Sequence, residues 1–382
     1  MTRRCFLHVG SPKTGTSYLQ NVLWQSRDAL AAQGVELPLR RNDHFFLTLQ
    51  LRGTYAPRVD PPRAADVLDR LEAALGRGTS DVLITHELLS VVPQEQVDAF
   101  LARLSDFEVH VIVTTRSLDR QLPSEWQQFV KTRHTGTYST FLAQVRTRPD
   151  HRFWSGQDFA AIAARWGRSL PADQVHVVTV PPSGAPPDEL LRRFCSVLGV
   201  DPAGLDADVT RDNASIGYEQ AELLRRVNQT LGRRLRNHRT AYARVVKFWY
   251  AERVLAEQSG QRLVLPAAEQ SWCTEVSRDQ ATRIAAAGYD VVGDVADLMP
   301  VWAQSPVPDL TAEDSRLLEV SLEAMADMLV QRRRDLEVIR GLRRDLRRAR
   351  GRDRSSTASA SEAGRARRFL GRVRRRLSRT DA

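Results

Sequence analysis

A glycine-rich segment near the N-terminus carries the residue types of an anion-binding loop. Residues 10–17 read Gly-Ser-Pro-Lys-Thr-Gly-Thr-Ser and lie between a short apolar run, residues 5–9, and a helical pattern. A turn of this kind directs backbone N–H groups toward one point, where the dipole of the following helix also favours an anion. Lys13 adds a positive charge, and Thr16 and Ser17 add hydroxyl groups. The segment therefore predicts a phosphate- or sulfate-binding loop.

The loop differs from that of nucleoside-triphosphatases in the position of its lysine. The spacing of Gly10 and Gly15 matches G-x-x-x-x-G-K-[ST], but Thr16 stands where the lysine of that motif belongs. Lys13, the one lysine of the loop, precedes the second glycine. A site for Mg-ATP therefore fits poorly, and a nucleotide or small-molecule kinase is the enzymatic alternative.

Polar residues also follow two later strand-like runs. His86 and Glu87 come directly after residues 82–85, and Arg116 follows residues 109–114, with Ser124 eight positions further on. A guanidinium group matches the oxygens of a phosphate, and a hydroxyl adds a neutral donor. Ligands of open α/β sheets bind at the carboxyl ends of the strands, where these residues are expected to lie.

Two of these segments resemble the donor-binding motifs of sulfotransferases that use 3′-phosphoadenosine 5′-phosphosulfate (PAPS). Residues 12–19, Pro-Lys-Thr-Gly-Thr-Ser-Tyr-Leu, resemble the 5′-phosphosulfate loop, and residues 115–126 resemble the 3′-phosphate segment. The resemblance is clear over residues 5–130. It implies that Arg116 and Ser124 hold the 3′-phosphate and that Tyr18 flanks the adenine. It also implies that the phosphosulfate is held by Lys13, Thr14, Gly15, Thr16 and Ser17.

The resemblance leaves two interpretations of the general base. Some sulfotransferases use a histidine in a T-H-L-P context, which His86 after Thr85 resembles. Others, which act on carbohydrates, use a glutamate just beyond the corresponding strand, as Glu87 would be. Adjacent side chains of an extended segment point to opposite sides, so one of the two is expected to face the donor. We favour Glu87, with His86 as the alternative.

The resemblance implies direct in-line transfer of a sulfuryl group from PAPS to a hydroxyl acceptor. The base takes the hydroxyl proton, while Lys13 and the loop N–H groups stabilise charge on the oxygens of the donor. The acceptor implied is a carbohydrate, a glycolipid or a secondary metabolite. The sequence holds no metal-ligand motif, so no metal cofactor is expected.

Strand and helix patterns alternate along the first half of the chain. Four β-branched runs predict buried parallel strands at residues 5–9, 82–85, 109–114 and 175–180. Helical patterns lie between these runs, which predicts an α/β fold with a P-loop-like, doubly wound parallel sheet flanked by helices. Beyond residue 185 the patterns are helical and predict a helical C-terminal extension.

The last eighty residues change character. We predict a sulfotransferase-like α/β domain over residues 1–302, a proline-containing linker at 303–310 and a long helix at 311–350. Apolar heptads, interrupted by Arg332 and Arg343, indicate a coiled coil and homo-oligomerisation through that helix. Residues 351–382 are expected to form a basic, partly disordered tail, whose apolar and arginine faces are compatible with contact with an anionic membrane surface.

Charge and cysteine content exclude several classes of protein. The chain has 382 residues and a net charge of +10, of which residues 331–382 contribute +13, so the remainder is near neutral. No motif for nucleic-acid binding accompanies this charge. Three scattered cysteines exclude a disulfide scaffold and fit a cytoplasmic protein, in contact with the membrane at most through its tail. A non-catalytic adaptor acting through the basic helical tail is the second alternative.

Overall fold

Six parallel strands form one sheet in the computed structural model of this protein, in the order β2-β3-β1-β4-β5-β6. The strands are β1 (Arg4–Gly10), β2 (Val35–Glu36), β3 (Asp81–Thr85), β4 (Glu108–Thr115), β5 (Val175–Thr179) and β6 (Asp290–Val292). Strands β1 to β3 form one half of the sheet, and strands β4 to β6 form the other half. The strand order therefore reverses between β1 and β4. Open α/β sheets bind ligands at such a reversal.

Apolar side chains of alternate strand residues enter separate cores on the two faces of the sheet. Leu7 and Val9 of β1 belong to one buried cluster with Val111 of β4, whereas Phe6 and Ile112 belong to a cluster on the other face. Each cluster includes residues of several helices, so both faces are covered. The prediction of a doubly wound parallel sheet is confirmed.

Thirteen α-helices occur in the part of the chain that the structure describes, residues 2–209, 216–235, 241–302 and 313–355. The first seven are α1 (Thr16–Gln25), α2 (Arg27–Ala32), α3 (Arg41–Leu51), α4 (Val67–Leu75), α5 (Gln94–Ala102), α6 (Leu118–Lys131) and α7 (Tyr138–Thr147). The others are α8 (Arg152–Gln157), α9 (Phe159–Trp166), α10 (Glu189–Leu198), α11 (Tyr218–Leu231), α12 (Gln270–Ala286) and α13 (Asp314–Ser355). A π-helix spans Ala243–Val254.

The chain divides into two compact units. The first unit comprises Met1–Phe129, Gly136–Ala214 and Leu263–Asp309, and it contains the whole sheet. The second comprises Val130–Thr135, Ser215–Arg262 and Leu310–Ala382, and it contains α11, the π-helix and α13. The long C-terminal helix is thus observed as α13, over Asp314–Ser355.

A buried polar cluster organises the second unit. Arg225 of α11 donates two hydrogen bonds to the carboxylate of Glu222, at 2.5 and 2.6 Å, and one to the carbonyl of Thr135 at 2.9 Å. Asn228, one turn further along, accepts a hydrogen bond from the hydroxyl of Tyr242 at 2.6 Å. Both ionic side chains are less than one-tenth exposed, and Glu222 also accepts a hydrogen bond from Nε of Arg226 at 3.0 Å, so the buried carboxylate is paired with two arginines.

The predicted linker, residues 303–310, lies outside the described residues, as does the tail from 356 onward. No helix of the described chain is both long enough and apolar enough to cross a membrane. Contact of the tail with a membrane surface therefore remains a prediction.

Candidate functional site at the carboxyl edge of the sheet

Three neighbouring strands bring the predicted segments to one edge. β1 lies between β3 and β4, with His8 in register with Thr85 on one side and Ile112 on the other. The glycine-rich loop leaves the end of β1, His86 and Glu87 follow β3, and Arg116 follows β4. The sheet therefore places all three segments beside one another.

The loop is held closed by short polar contacts to β4. The hydroxyl of Thr14 donates to the carbonyl of Ser11 at 2.6 Å and lies 2.6 Å from the hydroxyl of Thr114. The N–H of Ser11 donates to the carbonyl of Thr114 at 3.0 Å. Gly15, with φ of 83°, adopts the left-handed conformation that glycine tolerates and directly precedes α1. Thr14 is buried, and its two short hydroxyl contacts close the loop and connect it to β4.

Lys13 and Arg116 meet at this loop. Lys13 has φ of 67°, an uncommon left-handed conformation for a residue with a β-carbon. Arg116 donates a hydrogen bond from Nη1 to the carbonyl of Lys13 at 3.1 Å, and both side chains are partly exposed. Two cationic groups therefore border one segment of backbone, which makes this edge attractive to an anion.

Glu87 lies against the first glycine of the loop. Gly10 has φ of 84°, and a β-carbon there would lie 2.5 Å from Cα of Glu87. A side chain at Gly10 would therefore displace the backbone of Glu87. The amide of Gln20, on α1, donates to Oε2 of Glu87 at 3.4 Å. Glu87 is therefore in contact with both the start of the loop and the helix that follows it.

His86 and Glu87 do not point to opposite sides. Glu87 begins a 3₁₀ turn, Glu87–Val91, and Nδ1 of His86 accepts the N–H of Leu88 at 3.1 Å as the cap of that turn. The same Nδ1 lies 3.8 Å from Oε2 of Glu87. The expectation of opposite orientations was wrong because the chain is no longer extended at Glu87. The Glu87 side chain is 30% exposed and that of His86 is 14% exposed.

The two side chains differ in charge at neutral pH. Burial lowers the pKa of His86, and the carboxylate of Glu87 acts against that effect. Burial would raise the pKa of Glu87, but His86 and hydrogen bonds from its own backbone and from Gln20 outweigh burial and lower it. Glu87 is therefore a carboxylate able to accept a proton, beside a histidine that caps a turn.

The remaining predicted residues have less direct contacts. Ser124 donates its hydroxyl to the carbonyl of Arg120, one turn earlier in α6, at 2.9 Å. Tyr18 packs against the core beneath α1 and stays partly exposed. Thr16 is buried, whereas Ser17 is partly exposed. Contacts of these side chains with a nucleotide therefore remain predictions.

The resemblance to sulfotransferases also makes the loop at residues 211–217 a candidate for completing the 3′-phosphate site. Residues 211–215 lie outside the described chain. Their contribution to a nucleotide site also remains a prediction.

Sequence reasoning assigned no role to Glu125 of α6. This residue is 6% exposed, and its Oε1 atom has no hydrogen-bond partner among the residues that the structure describes. Burial raises the pKa of Glu125 to about 7, while the charges of Lys13 and Arg152 act in the opposite direction and that of Glu87 adds to the rise. One signal was available, because Glu125 falls three residues after buried Leu122 on the apolar side of α6.

Two buried glutamines complete the floor of the site. Gln121 and Gln157 donate to the carbonyl of Pro12, at 2.9 and 3.2 Å, and Gln121 also donates to Oε1 of Gln157 at 2.7 Å. They fix the loop at the residue before Lys13. Their spacing in the sequence, 36 positions, gave no signal of this contact.

His8 lies in β1 and is fully buried. Its Nδ1 lies 2.8 Å from the hydroxyl of Thr85 on β3, and its Nε2 lies 3.3 Å from the hydroxyl of Thr114 on β4. Burial lowers the pKa of His8 to about 3, so the ring is neutral. The ring therefore connects β1 with β3 and β4, and the residues of the candidate site follow the ends of these three strands.

No family model matches this chain, and no curated protein matches it. Among solved structures, a sulfotransferase from Alicyclobacillus acidocaldarius is similar, with 14% sequence identity and a TM-score of 0.42. That similarity covers 76% of this chain and 97% of the other.

Proposed function

We propose that this protein is a sulfotransferase that transfers a sulfuryl group from PAPS to a hydroxyl acceptor. One observation carries the proposal: Lys13, Arg116 and Glu87 converge on a single loop. Arg116 hydrogen-bonds the carbonyl of Lys13, and Gly10 packs directly on Glu87. Together with the two sequence motifs, this arrangement supplies Lys13 for the phosphosulfate, Arg116 for the 3′-phosphate and the carboxylate of Glu87 for a hydroxyl proton.

The reaction follows from these groups. Glu87 takes the proton of the acceptor hydroxyl as its oxygen attacks sulfur, and the bond between sulfur and the bridging phosphate oxygen breaks. The sulfate ester and 3′-phosphoadenosine 5′-phosphate (PAP) are the products. Lys13 and the N–H groups at the start of α1 stabilise the negative charge that grows on the departing phosphate. Arg116 and Ser124 bind the 3′-phosphate of the donor. The hydroxyl acceptor proposed is a carbohydrate, a glycolipid or a secondary metabolite.

Calorimetry with PAP, ADP and Mg-ATP tests the choice of nucleotide. We expect metal-independent binding of PAP, weakened roughly 10- to 100-fold in Arg116→Ala because a charged hydrogen bond is lost. Arg77→Ala removes one exposed arginine from the same unit and serves as the matched control. Preference for Mg-ATP would favour the kinase alternative, and absence of nucleotide binding would favour the adaptor.

Turnover with radiolabelled PAPS and a panel of sugar, glycolipid and phenolic acceptors tests the base. Glu87→Gln keeps the size of the side chain but removes the proton acceptor, so we expect a loss of roughly 10²- to 10⁴-fold. His86→Asn is the comparison, because asparagine also caps a helical turn and should preserve the backbone there. Full activity of Glu87→Gln would show that the base is another residue.

A further inference from the structure

The helix α13 of the second unit exposes an apolar seam, which Arg332 interrupts once. Leu318, Leu322, Met325, Leu329 and Leu336 follow one another at intervals of three, four or seven residues. Their exposed fractions range from 38% for Leu336 to 72% for Leu329. Such spacing keeps the side chains on one side of a helix over about five turns. An exposed apolar surface of this length indicates an interaction site.

This seam is distinct from the side of α13 that its own unit covers. Leu317, Val320 and Ala324 are at most 5% exposed and form the start of the packed side. Leu318 follows Leu317 directly and therefore lies about 100° away around the helix. The folded unit thus buries one apolar side of α13 and leaves a second one open.

A groove beside the seam adds a second wall. The π-helix contributes Val245, Phe248 and Trp249, and α13 contributes Met325 and Leu329, around a volume of about 760 Å³. Val245 and Phe248 are 47% and 48% exposed. An added helix could therefore contact side chains of both elements.

The charges of α13 are separated along its length. Residues 314–330 contain four acidic residues and one arginine, whereas residues 331–346 contain six arginines and three acidic residues. The two halves thus carry −3 and +3. A second copy of α13 complements this pattern only when it runs in the opposite direction, because a parallel copy would oppose like charges.

We propose that the seam binds α13 of a second copy of this chain in an antiparallel coiled coil. A register that pairs Leu322 with the partner's Ile339 and Met325 with the partner's Leu336 buries apolar side chains in successive layers. The two-fold symmetry repeats each pair on the other side of the centre. This arrangement is an isologous interface, which closes at two subunits.

The charges of the flanking residues favour this register. The register brings Glu319 close to the partner's Arg340, and the two-fold symmetry repeats that pair at the other end of the coiled coil. A shift by one heptad would instead bring Arg333 against the partner's Arg333. Arg332, which lines the groove, would lie over the partner's Leu329 and can extend its charged end to solvent.

Sedimentation equilibrium of the full chain over a range of concentrations tests the dimer. We expect a monomer–dimer equilibrium for the wild type and at least a tenfold weaker association for Leu329→Glu. Val330→Glu is the matched control, because Val330 is also exposed on α13, at 52%, but lies off the seam. Its association should equal that of the wild type. A monomeric wild type, or a Leu329→Glu variant that dimerises normally, would overturn the proposal.

Charge reversal tests the orientation. Glu319→Arg and Arg340→Glu should each weaken the dimer, and the double variant should restore it, since the pair is exchanged across the interface. Helical content measured by circular dichroism checks that each variant remains folded. Failure of the double variant to recover association would refute the antiparallel register.

Crosslinking provides an independent measurement of the orientation. A chain carrying both Glu319→Cys and Arg340→Cys should form interchain disulfides on oxidation, whereas Glu319→Cys alone should not. The native thiols of Cys5, Cys195 and Cys273 are buried and do not compete. Efficient crosslinking of Glu319→Cys alone would show a parallel dimer and overturn the proposal.

Discussion

Substitution of Glu125 by glutamine should make the stability of the protein less dependent on pH. The carboxyl is 6% exposed, and burial raises its pKa to about 7. Folding therefore favours the protonated form, and the folded state holds this proton more tightly than the unfolded chain does. The favourable contribution of Glu125 is complete below about pH 4.5 and declines as the pH rises through the folded pKa.

The size of the effect follows from the difference between the two pKa values. A rise of the pKa from 4.5 to about 7 corresponds to about 3 kcal/mol in the free energy of unfolding. This stabilisation is lost between pH 4.5 and about pH 7, and the loss is constant at higher pH. The glutamine of the Glu125→Gln variant is neutral throughout and keeps nearly the same volume. The variant should therefore equal the wild type near pH 4.5 and exceed its stability by up to about 3 kcal/mol above pH 7.

Urea denaturation of both proteins at closely spaced pH values between 4.5 and 8 measures this difference. Subtraction of the two free energies of unfolding cancels the contributions of all groups that the substitution leaves unchanged. Glu95→Gln removes one exposed carboxyl from the same unit and controls for the change in net charge. A difference between Glu125→Gln and wild type that stays constant from pH 4.5 to 8 would refute the raised pKa.

Two further substitutions test packing that the structure makes explicit, again by urea denaturation. Gly10→Ala should cost about 3 kcal/mol or more, because the new β-carbon meets the backbone of Glu87 and the left-handed conformation is also strained. Gly34→Ala, with φ of 89° and open space around it, should cost only about 1 kcal/mol; equal losses would show that Glu87 does not constrain Gly10. Arg225→Met should cost about 1.5–3 kcal/mol, because Glu222 stays buried and loses two charged hydrogen bonds while keeping the one from Arg226; a loss below about 0.5 kcal/mol would contradict the buried ion pair.

The central strands were predictable because their residues repeat one physical pattern. β1, β3, β4 and β5 are runs of β-branched and other apolar residues that are buried on both faces. β2 and β6 contain only two and three residues, which is too short for any pattern. Helix α3 is hard to predict for another reason. Its buried side includes Asp43, His44 and Thr48, so polar residues conceal the periodicity that marks a helix.

The site was predictable where a motif fixed both residue types and spacing. Lys13 and Arg116 come from two motifs, and the parallel sheet brings them into contact, as topology requires. The orientation of Glu87 was not predictable, because it depends on a 3₁₀ turn that begins where the strand pattern ends. Glu125 had only one signal, its position on the apolar side of α6, and its charged residue type argues against burial, which results from tertiary packing.

The buried imidazole of His8 at the centre of the sheet makes the protein less stable at acid pH. Its folded pKa of about 3 lies below the ordinary 6.5, so its contribution to stability is intact above pH 6.5 and falls as the medium is acidified below that value. Protonation would also block the one ring nitrogen that accepts a hydrogen bond from a threonine hydroxyl. Searches for the acceptor substrate should therefore use near-neutral buffers, because the free energy of unfolding is lower in acetate and unfolded protein would be mistaken for a wrong substrate.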